Sequence, residues 1–275
     1  MKPLDAVRWA VFALAALVMN FPVIATFITA LKPPREVNAN PGLIPHEVTF
    51  DNFVTVLTIS ERLNVWAYLH SSLVAALIGA ILPILLCVPL AYAIARRGYG
   101  QRVLFPIVIN IRAMPLIIFA IPLYMMYQTV GLLDTKLGLG LILAVVNVPL
   151  TLLILTNAVA EIPDEIEEAA VMDGARTKRI LLRLVLPLLR PAIASTFVFG
   201  FITAWNEFLF GLMLTTRNAV PMTVGASFFF SAGGGGVQWG VAAAVIIVAS
   251  IPPVALGVIM YRQIGQSMMA GAVKG

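Results

Sequence analysis

The sequence predicts an all-α membrane protein with six transmembrane helices, and three observations carry that prediction. Hydrophobic residues make up 60% of the 275 and charged residues 11%, whereas soluble domains are about half apolar and a quarter charged. Mean hydropathy is +0.97. Six long runs hold almost no charge and reach the roughly 20 residues that a helix needs to cross about 30 Å of hydrocarbon.

The runs lie near Trp9 to Ala30, Ser71 to Ala95, Val103 to Tyr127, Leu137 to Ala160, Pro191 to Leu214 and Trp239 to Tyr261. The first is longer than the apolar core of a secretory signal and no cleavage site follows it, so it is expected to stay as a helix. Lys32 to Trp66, with Lys32-Pro33-Pro34, Pro41-Gly42 and Pro45, is a turn-rich loop too polar to cross. Ser71-Ser72 opens the second span, and Ala95-Arg96-Arg97-Gly98 ends it with positive charge and glycine. Pro221 and Gly233 to Gly236 mark the last loop. The whole chain, 1–275, reads as one transmembrane domain without inverted repeats.

Basic residues set the orientation, because positively charged loops stay in the cytoplasm. With both termini inside, that side holds Lys2, Arg8, Arg96, Arg97, Arg102, Arg176, Lys178, Arg179, Arg183, Arg190, Arg262 and Lys274. The outside holds Lys32, Arg35, Arg62, Lys136 and Arg217, and Arg112 falls within a span. The net charge of +5 is thus mostly topology, and contact with lipid headgroups explains it better than nucleic acid does. The lone Cys87 excludes an internal disulfide.

Prolines stud the spans: Pro22, Pro83, Pro89, Pro106, Pro115, Pro122, Pro149, Pro252 and Pro253. Such breaks survive in lipid where neighbouring helices or cavity water satisfy the freed carbonyls. Their number fits a bundle around a path.

Between the fourth and fifth runs, residues 161–190 form a charged island. Glu161, Asp164, Glu165, Glu167 and Glu168 crowd its start, favourable at a helix N-terminus, and Pro163 suits a first helical turn. A short helix is expected from Pro163 to about Met172, with Ile166, Ala169, Ala170 and Asp173 on one stripe. Small Ala169 and Ala170 would let a partner surface approach closely, and Asp173-Gly174 would end the helix in the left-handed region. A second, amphipathic helix follows, with Arg176, Arg179, Arg183 and Arg190 on one side and Ile180, Leu181, Leu184, Val185 and Leu188 on the other.

The spacing Glu168-Ala169-Ala170, three residues, Gly174, nine residues, then Leu184, one residue and Leu186-Pro187 resembles the signature loop of permease subunits in binding-protein-dependent ABC importers. Further strings resemble the second membrane subunit of maltose-type carbohydrate importers. They are Ala91 to Arg96, Pro122-Leu123-Tyr124, Gly131 to Thr135, Ile162-Pro163, Trp205 to Phe208 and Gly271 to Gly275. One departure is Leu184, where the signature usually has Ile, a volume-conserving change.

The resemblance implies a type I ABC importer permease fold in a bacterial inner membrane. The island would be a coupling helix seated in a cleft of a cytoplasmic ATPase, with Glu165, Glu168, Ala169, Ala170, Asp173, Gly174 and Pro187 as coupling residues. It also implies the partners: a second permease subunit, an ATPase dimer carrying ATP and Mg, an extracytoplasmic solute-binding protein, and a sugar-like solute. This chain has no phosphate loop of its own, since Gly174 to Lys178 lacks the spacing. No cofactor, metal or catalytic constellation is expected in it.

Ionisable groups at membrane depth are costly and face a cavity or partner. Counted at 1.5 Å per residue from the cytoplasmic side, Arg112 lies about 14 Å in and Glu207 about 24 Å in. Arg112, Asn206 and Glu207 are therefore candidate pathway residues. For Arg112 the alternative is a ligand for carbonyls at the Pro115 break, and for Asn206 and Glu207 a brace for helices or for the outer gate. Asn147 and Asn157 suit interhelical hydrogen bonds. His46 and His70 lack metal-like clustering. Three rival functions stay open: an ABC permease for a non-sugar or anionic solute such as an osmolyte or a sulfonated or phosphorylated polyol, which Arg112 would suit; an ion-coupled carrier, for which Glu207 is the single intramembrane acid; and a structural membrane scaffold, which would not need the spacing of the charged island.

Overall fold

A computed structural model describes residues 3–40, 42–60, 63–230 and 236–272, and among these all regular structure is helical. Lys2, Pro41, Arg62, Gly233 to Gly235 and Val273 to Gly275 lie outside the described residues, as does the side chain of Arg262. In chain order the helices are α1 (Pro3–Ala30), α2 (Pro34–Ala39), α3 (Asp51–Leu57), α4 (Val65–Arg97), α5 (Leu104–Ile111), α6 (Ala120–Val130), α7 (Lys136–Ala160), α8 (Asp164–Met172), α9 (Thr177–Ile180), α10 (Leu186–Leu188), α11 (Arg190–Trp205), α12 (Leu209–Leu214), α13 (Met222–Phe229) and α14 (Trp239–Ala272).

Four of these are long and apolar enough to cross a membrane: Val7–Ala30, Val65–Arg97, Lys136–Ala160 and Trp239–Tyr261. Two bent pairs complete six candidate spans. Leu104–Ile111 meets Leu116–Val130 at 96°, and Thr177–Leu188 meets Arg190–Trp205 at 71°. The expected third span is thus broken, at Pro115, whose missing N–H and restricted φ disfavour an unbroken helix. The expected fifth span also stops short, at Trp205, and resumes at Leu209. The second span opens earlier than Ser71-Ser72: α4 starts at Val65, and both serines are buried inside it.

The chain divides into two compact units, 1–66 with 225–251 and 67–224 with 252–275. In the first, buried Asn52 donates to the carbonyls of Ala30 (2.9 Å) and Lys32 (2.8 Å), closing the end of α1. Gly240 presses on it: a Cβ there would lie 2.6 Å from Asn52 Nδ2. Lys32, expected as an outer-loop charge, is 4% exposed and donates to the carbonyls of Asn40 and Gly42. Glu36 organises the same loop, accepting from His46 N (2.7 Å), the Asn40 amide (2.8 Å) and Glu47 N (3.2 Å). The His46 backbone N–H, with smaller help from Asn40 and Glu47, holds its carboxyl down to about 2.

In the second unit α4, α7 and α11 cross closely. Pro83 cannot donate to the carbonyl four residues back, that of Gly79. Asn147 of α7 replaces the missing donor: its Nδ2 reaches Gly79 O and Gly200 O, both at 2.9 Å, from a side chain 1% exposed. Small residues allow the approach, since a Cβ on Gly140 would lie 2.7 Å from Ile78 Cβ and one on Gly79 2.9 Å from Leu143 Cβ. Asn147 therefore forms the expected interhelical bond. Asn157 does not, being exposed on α7. Below the crossing, Leu152, Leu155 and Val159 of α7 meet Val88, Ala91 and Ile94 of α4 in one buried cluster with Ile180, Val185 and Leu189.

Candidate functional site: an anchored acidic helix and an apolar cavity

Helix α8 begins at Asp164 with Pro163 in the N-cap position, one residue later than expected, and Asp164, Glu165 and Glu167 fill its first turn. Its end is a Schellman turn. Ala175 N donates to Ala170 O (2.9 Å) and Gly174 N to Val171 O (2.9 Å), with Gly174 at φ +76°. Nothing lies within 4 Å of a Cβ built on Gly174, so glycine is required there by the backbone and not by space.

The clamp that holds α8 comes from the last turns of α4. Arg96 Nε donates to Glu167 Oε1 (2.7 Å), Arg96 Nη2 to the Ile162 carbonyl (2.6 Å), and Arg96 Nη1 pairs with Asp164 Oδ1 (2.7 Å). Tyr92 Oη donates to the second Glu167 oxygen at 2.7 Å. Tyr92 and Arg96 stand four apart and Asp164 and Glu167 three apart, spacings that put each pair on one helix face. The side chains of Arg96 and Glu167 are only 12% and 13% exposed, so this ion pair is shielded.

Anchoring fixes which face of α8 is free. Ala170 is half-buried against the α4–α7 cluster, so it does not share an open stripe with Ile166, Ala169 and Asp173. Glu165, Ile166, Glu168, Ala169, Val171, Met172 and Asp173 are exposed, Met172 at 87%. Beyond Gly174 the expected second helix is divided. A single wide turn over Leu181–Val185 passes the Leu186 N–H to Leu181 O just before half-buried Pro187. A π-turn placed there widens the helix ahead of a residue that cannot donate.

The other sequence candidates do not gather. Arg112 is exposed at the end of α5, where α5 and α6 bend apart, and its guanidinium makes no hydrogen bond or ion pair with the described residues. It borders a cavity of about 590 Å³ walled by Phe119, Val145, Pro149 and Phe210, in which Arg112 and Thr203 are the polar lining side chains. Glu207 is turned elsewhere. Its carboxylate accepts from Phe210 N (3.0 Å) and Gly211 N (3.3 Å), capping α12, while Thr223 Oγ1 donates to its carbonyl (2.8 Å). No ion pair joins it to Arg112 among the described residues. Asn206 is exposed at the C-cap of α11.

Sequence reasoning missed a second carboxylate latch. Asp134, at φ 53°, accepts from the backbone N–H of Thr216 (2.9 Å), Arg217 (3.1 Å), Asn218 (2.9 Å) and Ala219 (3.1 Å) and from the Asn218 amide (3.0 Å). Partial burial opposes its charge, but those backbone donors together hold the carboxyl down to about 2. The clamp is half visible in the sequence, since Tyr92 and Arg96 stand in the string Ala91 to Arg96. Apart from the Asn218 amide, the aspartate's partners are backbone groups with no sequence signature. His46 meets Glu36 and His70 meets Lys136, and among the described residues no cluster of His, Cys, Asp or Glu could hold a metal.

Within the second unit, long apolar helices border a cavity with Arg112 at its rim and carry one anchored acidic helix, features that fit a membrane transport subunit. The family described as binding-protein-dependent transport system inner membrane component matches residues 84–270, and the chain belongs to it. It is 31% identical over 257 residues to the diacetylchitobiose uptake system permease protein DasC of Streptomyces coelicolor, covering 93% of this chain and 92% of that one. It is 33% identical over 279 residues to the trehalose transport system permease protein SugB of Mycobacterium tuberculosis, covering 98% of each. Among solved structures, a bacterial ABC transporter that imports the acidic polysaccharide alginate aligns with a TM-score of 0.75 at 22% identity, over 94% of this chain and 95% of that one. The fold is thus that of an ABC importer permease.

Proposed function

We propose that this chain is the permease subunit of an ATP-driven importer for a sugar or sugar-derived solute, forming half of the pathway as one functional transmembrane domain. The named substrates of the similar permeases, diacetylchitobiose and trehalose, support the solute class. The exposed face of α8, centred on Glu168, Ala169 and Met172 and bounded by Glu165 and Asp173, is the docking surface for a separate ATPase, with Gly174 and Pro187 shaping its exit. This reading rests on one observation: α8 is clamped to α4 along one side and left open along the other. ATP and Mg act on that ATPase dimer. A second permease completes the pathway, and an extracytoplasmic binding protein delivers the solute. Both termini and α8 face the cytoplasm, in line with the basic residues.

The cavity beside Arg112 is the segment of pathway we assign to this subunit. Its apolar walls with a single cation at the rim suit a solute carrying both a nonpolar face and a negative or strongly polar group, which keeps an anionic sugar derivative as the second reading. Glu207 and Asn206 brace the break between α11 and α12.

The test is reconstitution of the complete complex in liposomes with ATP inside and a loaded binding protein outside. Uptake that needs both ATP and the ATPase subunits supports the proposal. Uptake driven by an ion gradient without the ATPase would overturn it. Replacing Arg112 by Ala is expected to lower uptake while assembly persists; lost assembly would make Arg112 a structural residue.

A further inference from the structure

We infer that the Arg96–Glu167 clamp, closed by Tyr92 and Asp164, is the joint through which movement of α8 reaches the membrane span α4. This rests on the proposed docking of an ATPase at α8 and adds the route by which that docking acts. Three features carry it. All of Arg96's terminal groups are used, on Glu167, Asp164 and the Ile162 carbonyl, within 2.6 to 2.7 Å. Both Glu167 oxygens are held, one by Arg96 and one by Tyr92. The ion pair is largely shielded from water, where charge-assisted bonds of this kind are strongest.

Such a joint cannot pivot freely. A guanidinium bound to two carboxylates and a carbonyl fixes direction as well as distance, which a single ammonium contact would not do. Because Tyr92 and Arg96 lie one turn apart, they hold the first turn of α8 against two successive turns of α4. A tilt of α8 therefore becomes a tilt or shift of α4. Along α4, the same helix meets α7 and α11 at Gly79, where Asn147 bridges its carbonyl to that of Gly200. Arg96 is a positioning residue in this scheme, and Glu168 on the open face of α8 is a docking residue. The two roles separate experimentally.

The complete complex in liposomes is measured for three quantities: ATPase bound per permease, ATP hydrolysed, and solute taken up. Arg96→Lys and Tyr92→Phe are expected to keep the ATPase bound and hydrolysing while solute carried per ATP falls, Arg96→Lys more than Tyr92→Phe. The expected range is about twofold to thirtyfold, the size of effect seen when coupling residues are altered. Arg96→Ala is expected at the upper end. If it fails to assemble, the two milder variants decide, since each removes only a few atoms and keeps the side chain's body in place. Unchanged solute per ATP in Arg96→Lys and Tyr92→Phe would overturn the joint. Glu168→Ala serves as the separate arm: loss of bound ATPase supports the docking reading, and unchanged binding and uptake would overturn that reading instead.

Discussion

Two carboxylates in the second unit act as latches, and they are built in opposite ways. Glu167 is held by side chains, the guanidinium of Arg96 and the hydroxyl of Tyr92. Asp134 is held by four consecutive backbone N–H groups, from Thr216 to Ala219. The first joins two helices through a shielded ion pair. The second joins two loops through an anion nest, in which the backbone supplies the positive end. The contrast is mechanical: the side-chain latch can be tuned by mutation at either partner, whereas the nest, apart from the Asn218 amide, is altered mainly through its guest.

The largest effect on stability is expected at the side-chain latch. Arg96→Ala leaves Glu167 shielded without its counter-charge and the Ile162 carbonyl without a donor. The expected cost is about 2–3 kcal/mol, the scale for a charged group losing its hydrogen bonds. Thermal unfolding of the detergent-solubilised subunit measures it, and a change within a few tenths of a kcal/mol would mean that the latch is not closed in solution. Asn147→Leu comes next, at about 1–2 kcal/mol, because it strands the Gly79 carbonyl that Pro83 cannot satisfy. The same measurement applies, and retention of full stability would show that another group satisfies that carbonyl.

Gly174→Ala is expected to cost about 1 kcal/mol, through the left-handed backbone alone. Nothing crowds the site, so Gly174→Asn should recover part of the loss. Equal losses for Ala and Asn would point to a contact with a partner and not to the backbone.

The effect at the backbone latch depends on pH. The folded-state value of Asp134, about 2, lies below its ordinary 3.8. Its contribution is therefore complete above about pH 4 and is lost as pH falls from there towards about 2. Melting temperatures of the unaltered chain and of Asp134→Asn, compared across that window, should differ at neutral pH and converge on acidification. A gap that stays constant down to acid pH would show that the charge of Asp134 contributes nothing.

The same contrast explains how much was legible beforehand. The six apolar runs, the helix starting near Pro163, its end at Asp173-Gly174 and the interhelical role of Asn147 all follow from local chemistry that a sequence displays. The breaks at Pro115 and after Trp205 were less legible, since a proline in lipid signals a kink without giving its angle. For Glu207 the sequence leaves pathway and brace both open, because depth in the membrane does not show where a carboxylate turns, and its cap on α12 depends on the restart of the helix at Leu209. Ala170 was assigned to the open stripe because periodicity defines faces but not which face a neighbour covers. Asp134 stands in the string Gly131 to Thr135, but its latch is not legible there, because the backbone N–H groups it binds are common to every residue.

In the proposed function the open face of α8 meets a separate ATPase. The most direct measurement is site-specific cross-linking from Met172→Cys, a position on that helix 87% exposed, in the assembled and transporting complex. A cross-link to the ATPase subunit that changes in yield when ATP is added is the predicted result. Reagent reacting at that position only from the extracytoplasmic side, or no ATPase cross-link in a complex that still imports solute, would contradict it.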